Sequence, residues 1–283
     1  MPISIVDSSV LRRVALRAGA AVVLGGASAA LAQPSVSVSI PGRANPWLAG
    51  MPAGSTAAGG DVAPFESPVL MPIALVGGES IVVADVSGFT GFSPGVSYPP
   101  DGGAYGSGFC HGSGAENGIA SACWEKVSCL IGVFLDGSVP TSSPAPAATS
   151  FLTPASQNYV EIAPLLKQVF FIGDGLRTNG DPQRIIAPAG ARRLFLGTSD
   201  GTGWFNNVGV FQATVRAGTC GSTDFDGDGD EGTDADIEAF FAVLAGGACP
   251  TGTCGSADFD GDGDEGTDAD IEALFRVLAG GRC

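Results

Sequence analysis

Between residues 69 and 215 the chain runs in short apolar stretches broken by turn-forming residues: VLMPIALV, ESIVVADV, CLIGVFLDG, VEIAPLLKQVFFIGDG, RIIAPAGARRLFLGT and VGVFQATV. Their spacing and composition predict strands of an antiparallel β-sandwich. Residues 138–154, dense in Pro, Ser and Ala, read as an extended connector inside that domain. Residues 33–67 hold few periodic apolar positions and read as an arm, in which only VSVSI (36–40) alternates as an edge strand would. Beyond residue 220 the period changes. Ile237, Phe240, Phe241 and Leu244 fall at i, i+3, i+4 and i+7, and Ile271, Leu274, Phe275 and Leu278 repeat the pattern, which predicts two helices. Thr233 and Thr267 stand at N-cap positions with an Asp three residues on, a variant of the capping box. Gly246-Gly247 and Gly280-Gly281 stop the helices. A helix of about ten residues is marginal alone, so the two apolar faces are expected to pack on each other.

These helices belong to two nearly identical segments, CGSTDFDGDGDEGTDADIEAFFAVLAGGAC (220–249) and CGSADFDGDGDEGTDADIEALFRVLAGGRC (254–283). Aspartates crowded into one loop repel one another unless a hard cation sits among them, and the D-x-D-x-D-G spacing points to calcium. With Asp224 as position one, Asp226 is at three, Asp228 at five, Gly229 at the sharp turn, and Asp230 offers a carbonyl at seven. Ala235 occupies position twelve, where a closing acid usually stands, so Asp236 is expected to close the loop from the helix start, with Asp234 as the alternative. The second loop repeats this with Asp258, Asp260, Asp262, Asp264 and either Asp270 or Asp268.

The net charge of −16 sharpens the division, because residues 220–283 carry 16 of the 29 acids and only two basic residues. A chain so acidic is a poor partner for nucleic acid. Arg12, Arg13 and Arg17, an apolar run from Ala18, and Ala30-Leu31-Ala32 before Gln33 read as an export signal over residues 1–32, which implies an extracellular or cell-surface protein. No run of membrane-spanning length follows Gln33. Seven cysteines in an exported chain point to disulfides with one left over. Cys123 and Cys129 are close enough for a small loop, which leaves Cys110 as the orphan. The four cysteines framing the repeats allow three pairings, and the sequence does not choose among them.

The repeats resemble dockerin-type modules, a resemblance covering about residues 220–283. It implies one calcium per loop-helix unit and attachment to a cohesin-like or cell-surface partner, and its pseudo-twofold packing favours pairing Cys220 with Cys283 and Cys249 with Cys254.

A second signal lies at residues 194–215, LFLGTSDGTGWFNNVGVFQATV, where two strands flank a loop holding Asp200, Asn206 and Asn207. These residues, together with GESIVVADVSG and CWEKVSCLIGVFLDG, resemble the bacterial PA-I type calcium-dependent galactose lectin over about residues 68–217. The resemblance implies a jelly-roll-like sandwich in which Asp200, Asn206 and Asn207 ligate calcium, Gly203 supplies a backbone group, Phe92 contributes a carbonyl, and the ion receives sugar hydroxyls. It also implies a disulfide between Cys123 and Cys129. The family's sugar-choosing loop is replaced here by PPDGGAYGSGFCHGSGAENG, so galactose specificity does not carry over. Asp101, Tyr105, His111 and Trp204 are the expected ligand contacts.

The expected protein is therefore mainly β, a lectin-like sandwich (68–217) followed by a small α-helical calcium module (220–283), that binds a glycan with Ca2+. The rival is a cell-surface or matrix protein in which calcium only rigidifies loops. An enzyme is the weakest reading: with one His, no G-x-S-x-G and no H-E-x-x-H, nucleophilic and zinc chemistries lack their parts, and only a two-carboxylate glycosidase stays open.

Overall fold

The computed structural model describes residues 35–280 except Val76, Ser113, Gly218, Thr219 and 262–264. The leader expected at 1–32 lies outside the described residues. The chain is mainly β, and its strands form mixed as well as antiparallel sheets. In the first sheet, β3 (Ser80–Gly91) lies between β12 (Val208–Ala217) and β10 (Arg184–Ile186), both antiparallel to it. Strand β1 (Ser35–Pro41) adds to the outer side of β12, and β8 (Glu161–Ile162) runs parallel to β10. The second sheet, wholly antiparallel, has the order β2 (Val69–Leu70), β11 (Arg193–Thr198), β6 (Leu130–Leu135), β9 (Val169–Phe171). A third sheet pairs β4 (Gly103–Cys110) antiparallel with β5 (Ala122–Val127), and β5 parallel with β7 (Thr149–Phe151). The expectation of a purely antiparallel sandwich is corrected on this point: β7, inside the 138–154 connector, pairs parallel to β5, and β8, just beyond it, pairs parallel to β10.

The burial of each strand follows its composition. LIGVFL in β6 is buried at every position, as a continuous apolar run covered on both faces should be. The alternating SVSVSI of β1 keeps its serines outward, where Ser39 Oγ donates to Gln212 Oε1 at 2.9 Å and Ser37 pairs with Thr214. Strand β12 comes so close to β3 that a Cβ on Gly209 (φ 82°) would stand 2.1 Å from the Phe89 carbonyl oxygen, which only glycine permits.

One core spans the sheets, and it includes the segment expected to be an arm. Trp47 is fully buried, stacks on His111 with ring centroids 3.5 Å apart, and meets Trp204 at 5.5 Å and Trp124 at 5.8 Å. Its indole N–H donates to the Ala120 carbonyl. Residues 35–67 are thus integral to the fold; their apolar positions are too isolated to show a period, yet Trp47 fills the centre of the core.

Helices α2 (Asp234–Leu244) and α3 (Asp268–Leu278) begin at capping boxes on Thr233 and Thr267, and α1 (Pro154–Gln157) is a single turn in the connector. The core of the acidic segment differs in part from the expected helix-on-helix contact. Phe225 and Phe259, from within the loops, pack with Phe240 and Leu274, whereas Phe241 and Phe275 stay partly exposed with rings 6.3 Å apart. The two loops also pair through backbone: Gly221 N–H donates to the Phe259 carbonyl and Gly255 N–H to the Phe225 carbonyl.

The cysteines correct a second expectation. Cys110 bonds to Cys123, its partner in the β4–β5 register, and Cys129 is the free, buried thiol. Burial pushes the Cys129 thiol up to about 12, against the pull of the Ser199 hydroxyl beside it. Cys249 bonds to Cys254, which excludes closing each repeat on itself, and Cys220 is also disulfide-bonded.

Two outcomes follow. Trp47→Ala should lower the free energy of unfolding by about 3–5 kcal/mol in urea titration; a loss below about 1 kcal/mol would show that the 35–67 segment is not core. Cys129 should react with an aromatic disulfide reagent only in denaturant, and rapid labelling in the native protein would contradict its burial.

Candidate functional site

The acidic loops bring three carboxylates together twice. Ligand oxygens of Asp224, Asp226 and Asp236 lie within 4.8 Å of one another, as do those of Asp258, Asp260 and Asp270, and each triad is close enough to hold a metal ion. Local chain chemistry builds this. Asp236 sits at the third residue of α2, where its Oδ2 accepts the Thr233 N–H (2.8 Å) and hydroxyl (2.9 Å). Its Oδ1 accepts the N–H groups of Phe225 (2.7 Å) and Asp226 (3.2 Å), so the helix start and the loop are tied by one carboxylate. Asp270 repeats these bonds with Thr267, Phe259 and Asp260. Asp234 and Asp268, two residues earlier, are exposed and outside the triads.

The charges in the first loop are unevenly satisfied. Burial alone would raise Asp236, but the bonds from Thr233, Asp226 and Phe225 hold its carboxyl below the ordinary value. Asp226 is held above it, through burial first and then through the charges of Asp228, Asp236 and Asp224. Asp224 Oδ1 is buried without a hydrogen-bond partner, while its Oδ2 accepts the N–H of Gly229 at the turn. An all-oxygen set with an orphaned buried carboxylate oxygen and a carboxylate resisting ionisation fits a hard divalent cation. Asp228 and Asp230 are exposed and stand outside the triad; Asp228 Oδ1 accepts the Asp230 N–H. Asp262 and Asp264 lie outside the described residues.

In the sandwich, the β11–β12 loop places Asp200 and Asn206 in a cleft of about 270 Å³ with Phe92, Tyr105, Phe109 and Thr202. Burial pushes the Asp200 carboxyl upward, partly offset by bonds from the Asn207 amide and the Gly201 N–H. Asn207 is buried; its Nδ2 donates to the Gly42 carbonyl, and its Oδ1 has no hydrogen-bond partner. Tyr105 is half-exposed and meets Phe92 and Phe109 edge to face, so one wall of the cleft is aromatic.

The loop is held from below by a residue the sequence reading missed. Asp61, fully buried, accepts the N–H groups of Trp204 (3.0 Å) and Phe205 (2.8 Å) and the Asn45 amide (2.9 Å). The Trp204 and Phe205 donors open the short 3-10 turn Trp204–Asn206, which follows Gly203 in left-handed backbone. Burial keeps the Asp61 carboxyl above its ordinary value despite the three donors. Its only sequence signal is an Asp among small residues, which carries no spacing information.

Three expected ligand contacts are corrected. Trp204 is fully buried, with its indole N–H donating to the Thr198 carbonyl, so it supports the loop from the core. His111 is buried against Trp47 and bonds to Glu116 at 2.7 Å, so it cannot face a ligand. Asp101 lines a different cleft, of about 460 Å³, where its Oδ1 accepts the Asp174 N–H. Asp174 lines the same cleft.

No family model matches the chain, and no curated protein matches it.

Asp61→Ala should unpair three buried donors and cost about 2–4 kcal/mol of stability, read by denaturant titration. A change under about 0.5 kcal/mol would show that Asp61 does not organise the Trp204–Asn206 turn.

Proposed function

We propose that the protein is an exported, calcium-dependent carbohydrate-binding protein whose C-terminal segment is a dockerin-like, calcium-folded attachment module. The observation that carries the reading is the β11–β12 cleft: the Asp200 carboxylate beside the partnerless Asn207 Oδ1, with Asn206 open to the same space and an aromatic wall opposite. Asp200, Asn206 and Asn207 would hold Ca2+ there, with Gly203 and the Phe92 carbonyl as the further donors implied by the lectin resemblance. Bound calcium would supply a Lewis-acid point for vicinal sugar hydroxyls. The half-exposed Tyr105 ring then offers an aromatic surface to the apolar face of a sugar ring, with Phe92 packed edge to face against it. The jelly-roll arrangement expected for such a lectin is part of this proposal.

The two Asp triads support the second half. Each would hold one Ca2+, through Asp224, Asp226 and Asp236 and through Asp258, Asp260 and Asp270. The partly exposed Phe241 and Phe275, at matching positions of the two repeats, are the surface offered to a cohesin-like or cell-surface partner. No described helix is long and apolar enough to cross a membrane. The alternative, a structural surface protein whose calcium ions only stiffen loops, is favoured by the orphaned Asp224 oxygen, which needs an ion whether or not sugar binds.

Calorimetric titration of the full chain should find calcium sites in both parts, and immobilised glycans should retain the protein in calcium and release it in chelator. Asp200→Ala should abolish retention and remove one calcium while leaving the tail sites intact. Calcium bound only by the tail, with no glycan retained at any calcium level, would contradict the lectin reading and leave the structural one. At calcium 100-fold above Kd, each site should add about 2.7 kcal/mol to stability.

A further inference from the structure

The two acidic loops are nearly identical in sequence, yet the fold treats them differently. Arg184, on β10 of the sandwich, reaches into the second loop: its Nη1 is 2.6 Å from Asp260 Oδ2, and both side chains are almost completely buried. Its Nη2 lies 3.8 Å from Glu161 and 3.9 Å from Glu272, and Arg276 of α3 reaches back to Glu161 at 3.4 Å. The corresponding carboxylate of the first loop, Asp226, has no basic side chain within 4.0 Å among the described residues.

Resting on the calcium reading of the tail, we propose that Arg184 is a resident cation of the second loop that makes it the weaker calcium site and couples its filling to the docking of the module on the sandwich. Asp260 belongs to the triad with Asp258 and Asp270, so an ion there and the guanidinium share one carboxylate. Two cations sharing one buried Asp repel at short range, where little water screens them. The guanidinium already neutralises part of the second triad, so the electrostatic gain from calcium is smaller there than in the first. Linkage makes the effect reciprocal: whatever Arg184 takes from calcium affinity, calcium takes from the Arg184–Asp260 contact. Calcium at the second loop therefore loosens the module from β10, and calcium at the first loop does not. A cleft of about 390 Å³ lined by Asp181, Thr267, Asp268 and Glu272 reaches Arg184 but not Asp260.

The test is calorimetric calcium titration of the full chain. The native sequence should show the two tail sites separated by at least about tenfold in affinity, with Asp224→Ala removing the tighter. Arg184→Gln should tighten the weaker site by about tenfold or more and bring the two together, whereas Arg184→Lys, which keeps the charge, should leave it weak. Native and Arg184→Gln chains with the same tail affinities would overturn the proposal, as would a Lys variant behaving like Gln. Should Arg184→Gln fail to fold, small-angle scattering of the native chain decides: the radius of gyration should rise at the weaker tail step alone, and constant dimensions through that step overturn the coupling. A tail that binds no calcium in any variant would overturn the calcium reading itself, a result distinct from equal sites.

Discussion

Everything in the acidic segment depends on one constraint, that carboxylates held within 4.8 Å of one another must be compensated. The chain meets part of it with its own N–H groups. Asp236 and Asp270 each accept two donors on either oxygen, so the capping box of a helix and the floor of a loop become one structure. What remains, Asp226 with its raised carboxyl and the partnerless oxygen of Asp224, is beyond what backbone can supply. The small core of Phe225, Phe240, Phe259 and Leu274 is inseparable from that balance, because two of its rings are carried by the loops themselves.

The same logic recurs in the sandwich at lower charge. Asp61 is compensated within the protein, by Trp204, Phe205 and Asn45, and works as a scaffold. Asp200, a few residues from the turn that Asp61 holds, is compensated only in part and opens to a cleft. Burial raises both carboxyls; what separates the supporting carboxylate from the candidate ligand is that Asp61 is fully buried whereas Asp200 lines a cleft. Trp204 and His111 fall on the supporting side, both buried, with the Trp204 indole N–H and the His111 Nε2 bonded within the protein.

What could be read from the sequence was whatever is encoded over short range. The capping boxes and both helices rest on spacing within a short segment, whereas the expectation that Phe92 joins Asp200 and Asn206, which line one cleft, came from the lectin resemblance. What could not be read depends on partners far along the chain. Trp47 and Asp61 sit in a segment without period, yet Trp47 is core and bonds to Ala120, 73 residues on, and Asp61 holds the site loop from 143 and 144 residues away. Cysteine proximity in sequence suggested Cys123 with Cys129, but strand register put Cys110 opposite Cys123. Phe225 and Phe259 sit between aspartates, where no helical period marks them as core, and Arg184 reads as one more basic residue until β10 carries it to Asp260.

The central claim is that the acidic loops reach this geometry because a cation completes them. Amide hydrogen exchange on the full chain, with calcium and with chelator, tests it most directly. The N–H groups of Phe225, Asp226 and Thr233, which donate to Asp236, and their counterparts at Phe259, Asp260 and Thr267 should be protected in calcium and exchange rapidly in chelator, while β3 and β12 stay protected in both. Equal protection of the loop amides with and without calcium would contradict the account.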